Sequence, residues 1–408
     1  VLNRTVKAAV VVMTGALALA ACGTNKTESG GGGSASCDTS KGTLTIGVIA
    51  PLTGSLAALG LGIQHSAELA VAEANDKCTV KGYKLALDAE DDQATPQTGA
   101  QAATKLSSDS NVVGVVGTLN SSVAQTVQPI LAGKKVVQIS PANTNPSLTK
   151  GDDLNNPKRQ FPTYFRVCTT DNYQGPDAAD YLVKKAGKKK IAVIQDGKTY
   201  GAGLAAAFEG RATTDGATIV DKEQVGEKDT DFSGVLTKVK AANPDAIYYG
   251  GEYPVAGPLS KQAAALGLNV PLMGGDGIFD PKFIDLGGKE GDLATSVGAP
   301  VESLDSAKAF VQAYNAKGYK DPYAAYGAFS YDAANAIISS LAATLGDNGT
   351  WSDSQRDKLI SNVGSYKGQG ATGAVAFDQY GDSTNKVLTV YQVTGKEWKP
   401  VQTGAFEG

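Results

Sequence analysis

NVVGVVGTLNSSVAQTVQPILAGKKVVQISPANTNPSLTK, residues 111–150, is the stretch whose reading decides the fold. Its first apolar run, Val112 to Val116, ends in the polar turn Gly117-Thr118-Leu119-Asn120-Ser121-Ser122. Its second, Val136 to Ile139, ends in Ser140-Pro141-Ala142-Asn143-Thr144-Asn145-Pro146. Short β-branched runs separated by an amphipathic helix are the pattern of a βαβ unit in a parallel sheet. Ligands of such sheets sit beyond the carboxyl ends of the strands. Both polar turns therefore open into one crevice and offer it hydroxyls and backbone N–H groups, an arrangement suited to a carboxylate.

The same alternation extends both ways. Upstream, strands are predicted over 42–50 and 83–88, the second ending in the acidic turn Glu90-Asp91-Asp92, with helices over 60–75 and 97–107. Downstream, a strand from Tyr164, a helix over 175–186 and strand 191–195 begin a second series. Helix 203–213, strand 217–222, helix 232–242, strand 246–249, helix 258–266 and strand 272–273 continue it. Strand 295–299 and helices 307–316, 331–345 and 354–363 follow. Residues 374–377 and 387–393, flanking Gly381-Asp382, read as an antiparallel ribbon. Two successive βα series predict an α/β protein of two Rossmann-like lobes.

The totals narrow the function. A chain of 408 residues accommodates about two domains. With 42% apolar residues it can bury real cores, and no interior run is long enough to span a bilayer. A net charge of −4 argues against nucleic acid or an anionic membrane surface as partner. The single histidine, His65, would have to serve any Ser-His-Asp triad or HExxH zinc site, so no metal, cofactor or catalytic residue is expected. Gly60-Leu61-Gly62 lacks the third glycine of a dinucleotide loop, and Glu90-Asp91-Asp92 lacks the glycine and closing glutamate of a calcium loop.

The amino terminus reads as an address. Arg4 and Lys7 precede an apolar run from Ala8 to Ala18, a signal-peptide pattern covering residues 1–21. Leu19-Ala20-Ala21-Cys22 resembles the bacterial lipobox, in which the cysteine is diacylated; an ordinary cleavable signal is the alternative. Residues 22–40, rich in glycine and serine, form a tether letting the body stray about 20 Å from its anchor. Export implies an oxidising setting. Cys37, before the first strand, and Cys78, after the first helix, both fall at the amino-terminal edge of a parallel sheet, which permits a disulfide; two free thiols are the alternative. Cys168 reads as a buried strand cysteine.

At this point the residues resemble a family. GTLTIGVIAPLTGSLAALG, VVGTLNSS, ISPANTNPSLT, YFRVCTTDNYQGP, KKIAVIQDGKTYGAGLA, AIYYGGEYP and LMGGDG are similar to blocks of the leucine/isoleucine/valine-binding proteins. These are type I periplasmic-binding-fold receptors of branched-chain amino-acid ABC transporters, and the similarity runs from about Gly42 to about Val393. The resemblance implies two lobes joined by three crossovers, with 41–168 and 299–385 in the first lobe, and 169–298 and the terminal ribbon 386–408 in the second. By position it implies that Ser121 donates its hydroxyl to a ligand carboxylate and that the Ala142 carbonyl accepts from the ammonium. Thr144 would meet the carboxylate through its N–H and the ammonium through its hydroxyl. On the facing lobe Tyr200 would touch the ligand on closure and Asp276 would pair with the ammonium. Physical logic agrees that a buried zwitterion must be paired at both ends.

Each position also has a plain structural reading. Ser121 could cap the helix beginning at Val123, Thr144 could close an ST-turn, Asp276 could be a turn residue, and Tyr200 could pack on the following helix. The chain departs from the family where it carries Glu252 and Leu59 in place of aromatics, and Asn120 and Ala94 in place of a disulfide. Glu252 could be a solvated rim charge; pointing inward beside Asp276, it would favour a ligand with an extra amine or hydroxyls. Tyr326 and Phe329 are expected to line the side-chain pocket. The expectation is a monomeric, lipid-anchored extracytoplasmic protein that captures a small amino acid of branched-chain type and delivers it to an ABC permease. Two rivals stand beside it: a sensor receptor of the same fold, and an exported hydrolase using Asp276 and Glu252 as an acid/base pair.

Overall fold

The structure, a computed structural model, describes residues 37–407. The predicted leader, Cys22 and the tether up to residue 36 lie outside the described residues. Five parallel strands form the first sheet: β1 (Thr43–Ala50), β2 (Lys84–Asp91), β3 (Val112–Gly117), β4 (Val137–Ser140) and β5 (Tyr164–Arg166), in the order β2-β1-β3-β4-β5. β3 and β4 are buried at every position, so they read as continuous apolar runs.

A second sheet repeats the winding. β6 (Lys190–Gln195), β7 (Thr218–Gln224), β8 (Ala246–Gly250), β9 (Leu272–Gly274) and β10 (Leu293–Ser296) lie parallel in the order β7-β6-β8-β9-β10. β11 (Lys367–Gly370) and β12 (Gly373–Ala376) make a small hairpin. β13 (Val387–Thr394) and β14 (Glu397–Ala405) extend the second sheet antiparallel beyond β10. The chain leaves the first sheet after β5, and returns after β10 as helix Gly327–Leu345, which packs on helix Ala57–Asp76 and on β3 and β4. It crosses once more before β13, giving two lobes joined by three crossovers. Strand order reverses between β1 and β3 and again between β6 and β8, so each sheet has a switch point at its carboxyl edge.

Three local expectations need correction. Residues 374–377 and 387–393 do not pair as a ribbon: β12 pairs with β11, and β13 with β10 and β14. The intervening Gly381-Asp382 is turned inward instead, with Arg166 N donating to Gly381 O at 3.0 Å and Asp382 buried against the Arg166 side chain. The strand predicted over 83–88 runs on through Glu90 and Asp91, because β1 is long enough to pair Ile49 with Glu90 and Ala50 with Asp91. The helix predicted over 175–186 begins at Asp171, and from Tyr181 to Lys185 it is π-helical. Gly175 is its contact point with helix Thr199–Thr214, where an added Cβ would lie 2.8 Å from Phe208 N. Cys37 and Cys78 are disulfide-bonded with Cα atoms 5.5 Å apart, and Cys168 is buried and free.

Candidate ligand-binding site

The first lobe's wall is made where β3 and β4 end. After β3 the chain turns sharply, and Gly117 (φ +140°) lets it press on β1, since a Cβ there would lie 2.3 Å from Ile49 O. Helix Ser121–Gly133 follows, with Asn120 at its N-cap position making no side-chain capping bond. Ser121 is thus the first helical residue and not a cap; its Oγ is buried without a protein partner. The turn after β4 is shaped by Ser140, whose Oγ accepts from Ala142 N at 3.1 Å and from Asn143 N at 2.8 Å. Thr144 is fully buried and its hydroxyl likewise has no partner, which removes the ST-turn reading.

A strut that the sequence reading missed holds this second turn. Arg166, fully buried at the end of β5, donates through Nη1 to Asn143 O at 2.7 Å and Asn145 O at 2.9 Å, and through Nη2 to Thr149 Oγ1 at 2.7 Å. Its Nε lies 2.8 Å from Asp382 Oδ1. Burial alone would raise the Asp382 carboxyl, but Arg166 and Lys150 beside it hold it below its usual value. The signal was present in YFR, a charged residue closing an otherwise buried strand; its partner lies in a turn near the other end of the chain.

On the facing lobe Asp276 opens a short 3-10 turn after β9 and is 1% exposed. Its Oδ1 accepts from Gln174 Nε2 at 2.9 Å and from the Tyr200 hydroxyl at 2.8 Å. Its Oδ2 accepts from the Tyr326 hydroxyl at 2.9 Å, a bond that crosses from the first lobe. The Tyr200 oxygen also accepts from Gly277 N at 3.0 Å, so Tyr200 fixes this turn as well as packing in its own helix. Burial raises the Asp276 carboxyl, against the pull of the hydrogen bonds from Gln174, Tyr200 and Tyr326. Gln174 Nε2 bridges to a second buried acid, Asp171 Oδ1, at 3.0 Å. Burial and the nearby Asp276 push Asp171 up to about 8. Neither Asp171 nor Gln174 stood out in the sequence, because DNYQ lies just ahead of the helix predicted over 175–186.

Glu252 points inward. It is 9% exposed, accepts a hydrogen bond from Asn120 Nδ2 across the lobes, and has Lys198 Nζ 3.3 Å from Oε2; the rim-charge reading fails. Further bonds shut the lobes on one another: Asn145 Nδ2 donates to Thr199 O at 2.7 Å, and Thr199 Oγ1 to Gln125 Oε1 at 2.9 Å.

One small cavity between the closed lobes brings together Leu59, Ser121, Ala142, Tyr200, Glu252, Asp276 and Tyr326 with Leu119, Asn120 and Gly277. Thr144 is not in its lining, and lies behind it with its carbonyl accepting from Asp171 N at 2.9 Å. Phe329 is elsewhere, in a groove with Phe279, Tyr391 and Trp398, whereas Tyr326 sits at the N-cap ahead of helix Gly327–Leu345. Chemically the cavity pairs a serine hydroxyl on one lobe with a buried carboxylate on the other, and among the described residues there is no cluster of ligands for a metal.

Comparison with known proteins places the chain in a family. Residues 43–397 match the family described as periplasmic binding protein. The Leu/Ile/Val-binding protein BraC3 of Rhizobium johnstonii is 33% identical over 351 residues, 86% of this chain and 91% of that protein. The structure of the leucine-binding protein LivK of Thermotoga maritima superposes with a TM-score of 0.77 at 29% identity, covering 88% of this chain and 98% of that one. LivJ of Streptococcus pneumoniae, solved in complex with isoleucine, gives a TM-score of 0.77 at 27% identity, covering 89% and 99%.

Proposed function

The chain belongs to the periplasmic binding protein family, and from that premise we propose that it captures a small α-amino acid of branched-chain size and delivers it to an ABC permease. The observation that carries this reading is the placement of Ser121 and Asp276 on opposite walls of one cavity, each from a different lobe. Ser121 offers a hydroxyl with no protein acceptor, and the carboxylate of Asp276 is braced by three donors. A zwitterion takes its carboxylate to the first and its ammonium to the second, so the guest itself completes the bridge between lobes. Binding then proceeds by hinge closure: contacts to both lobes exist only in the shut form, and the ligand shifts the population toward it. The relatives' names, Leu/Ile/Val-binding, and the isoleucine bound by LivJ support the size class.

Asp276 and Glu252 are both held as acceptors by neighbouring donors, which favours binding over general acid/base work. Cys22 is the proposed lipid attachment, residues 1–21 the leader, and the working form a monomer outside the cytoplasm. Thermal unfolding with each amino acid in turn tests capture: a ligand at 100 times its Kd adds about 2.7 kcal/mol of stability. No stabilisation by any amino acid would reject the reading. Loss of amino-acid uptake on deletion separates delivery to a permease from a sensor role. Incorporation of a labelled fatty acid that disappears in Cys22→Ser tests the anchor.

A further inference from the structure

The cavity has three chemically different walls. Ser121 and Ala142 form one, and Asp276 with Tyr200 and Tyr326 the second. If these take the carboxylate and ammonium, as proposed above, the third wall faces the ligand's side chain. It consists of Leu59 and Leu119, which suit a branched carbon, and of Asn120 and Glu252, which do not.

Asn120 is 3% exposed and its Nδ2 donates to Glu252 Oε1. A carboxylate can only accept, so the group facing Glu252 is the NH2, and this fixes which way the amide points. Its Oδ1 is left buried with no protein donor. A buried acceptor without a donor is costly, and such atoms in native sites are where a partner is expected. The wall is therefore rich in acceptors: Asn120 Oδ1 and the Glu252 carboxylate. A cation is already present beside it: Lys198, 2.5 Å from Glu227 Oε2, also lies 3.3 Å from Glu252 Oε2 and offsets its charge. Burial opposes charge on Lys198, yet Glu252 and Glu227 beside it raise its pKa and keep it protonated.

We propose that the cavity selects an α-amino acid whose short, uncharged side chain ends in a hydrogen-bond donor, a hydroxyl or a primary amide, directed at Asn120 Oδ1 and Glu252. The inference rests on the amino-acid reading of the same site. It differs from leucine-type selection in a way that isosteres expose: threonine has the shape of valine with a donor in place of a methyl, and asparagine nearly that of leucine. A site built to pair a donor discriminates against the analogue lacking it far more than an apolar pocket discriminates by one methyl.

Calorimetric titration of the full mature chain with valine, threonine, leucine, asparagine and lysine tests this. Threonine should bind at least tenfold tighter than valine, asparagine at least tenfold tighter than leucine, and lysine weakest. In Glu252→Leu both preferences should vanish or reverse, while Glu252→Gln, which keeps shape and one acceptor, should retain part of them. If valine or leucine binds the wild-type chain as tightly as its isostere, or lysine binds best, this inference is overturned and amino-acid capture stands. If none of the amino acids binds, the underlying reading falls, and this one with it.

Discussion

Replacing Asp276 by Asn isolates the one charge that the account assigns to the ammonium. The carboxylate accepts from Gln174, Tyr200 and Tyr326 at 2.8–2.9 Å, and an amide of the same shape can keep most of those contacts, since a tyrosine oxygen can also accept. The folded chain also escapes the cost of a buried carboxylate near Asp171, so the variant should be no less stable without ligand. Removing one partner of a buried charge pair costs about 3–5 kcal/mol. Taking the low end, affinity falls roughly 140-fold. At a ligand concentration 100 times the wild-type Kd, the stabilisation then drops from about 2.7 to about 0.3 kcal/mol. Calorimetric titration and thermal unfolding, run on both proteins, read the two quantities independently. A variant whose Kd stays within threefold of wild type would refute the assignment of Asp276 to the ammonium.

Three further outcomes follow from the same structure. Arg166→Met leaves Asp382 buried without its 2.8 Å partner and should destabilise the chain by about 3–5 kcal/mol in denaturant unfolding; Arg166→Met with Asp382→Leu should recover part of this. Cys37→Ser releases a disulfide spanning 41 residues and should cost about 3–4 kcal/mol, measured the same way. Burial lifts Asp92 to about 7 and Asp171 to about 8 from an ordinary value of 3.8. Between pH 4 and 8 the folded state therefore holds protons that the unfolded chain has lost. Their contribution to stability is full below the lower value and fades as pH rises through the higher ones. Thermal midpoints of the ligand-free protein should fall from pH 5 to pH 8, and Asp92→Asn should make that slope shallower.

The buried strands were legible because a parallel sheet covered on both faces leaves its strands as unbroken apolar runs, as Val112 to Val116 shows. The turns closing β3 and β4 were legible for a related reason: glycine, serine and threonine clustered where the apolar runs stopped. What the sequence hid was mostly long-range pairing. Arg166 and Asp382 are far apart in the chain, and nothing local marks Gly381-Asp382 as turned inward rather than the bend of a ribbon. Asp171 and Gln174 were hidden because their role depends on Asp276, which only the fold brings near. Glu252 was visible as a departure, but whether it faced water or the cavity depended on Asn120 across the cleft. Phe329 was misplaced because Tyr326 is the N-cap residue ahead of helix Gly327–Leu345 and Phe329 lies within it, and the start of that helix was not fixed by local signals.

The most direct test of the central claim is a crystal structure of the protein grown with the amino acid that stabilises it most. The expected density is a guest enclosed between the lobes, its carboxylate on Ser121 and its ammonium on Asp276. Density for the guest in any other cavity, or in this one with its charged ends reversed, would contradict it.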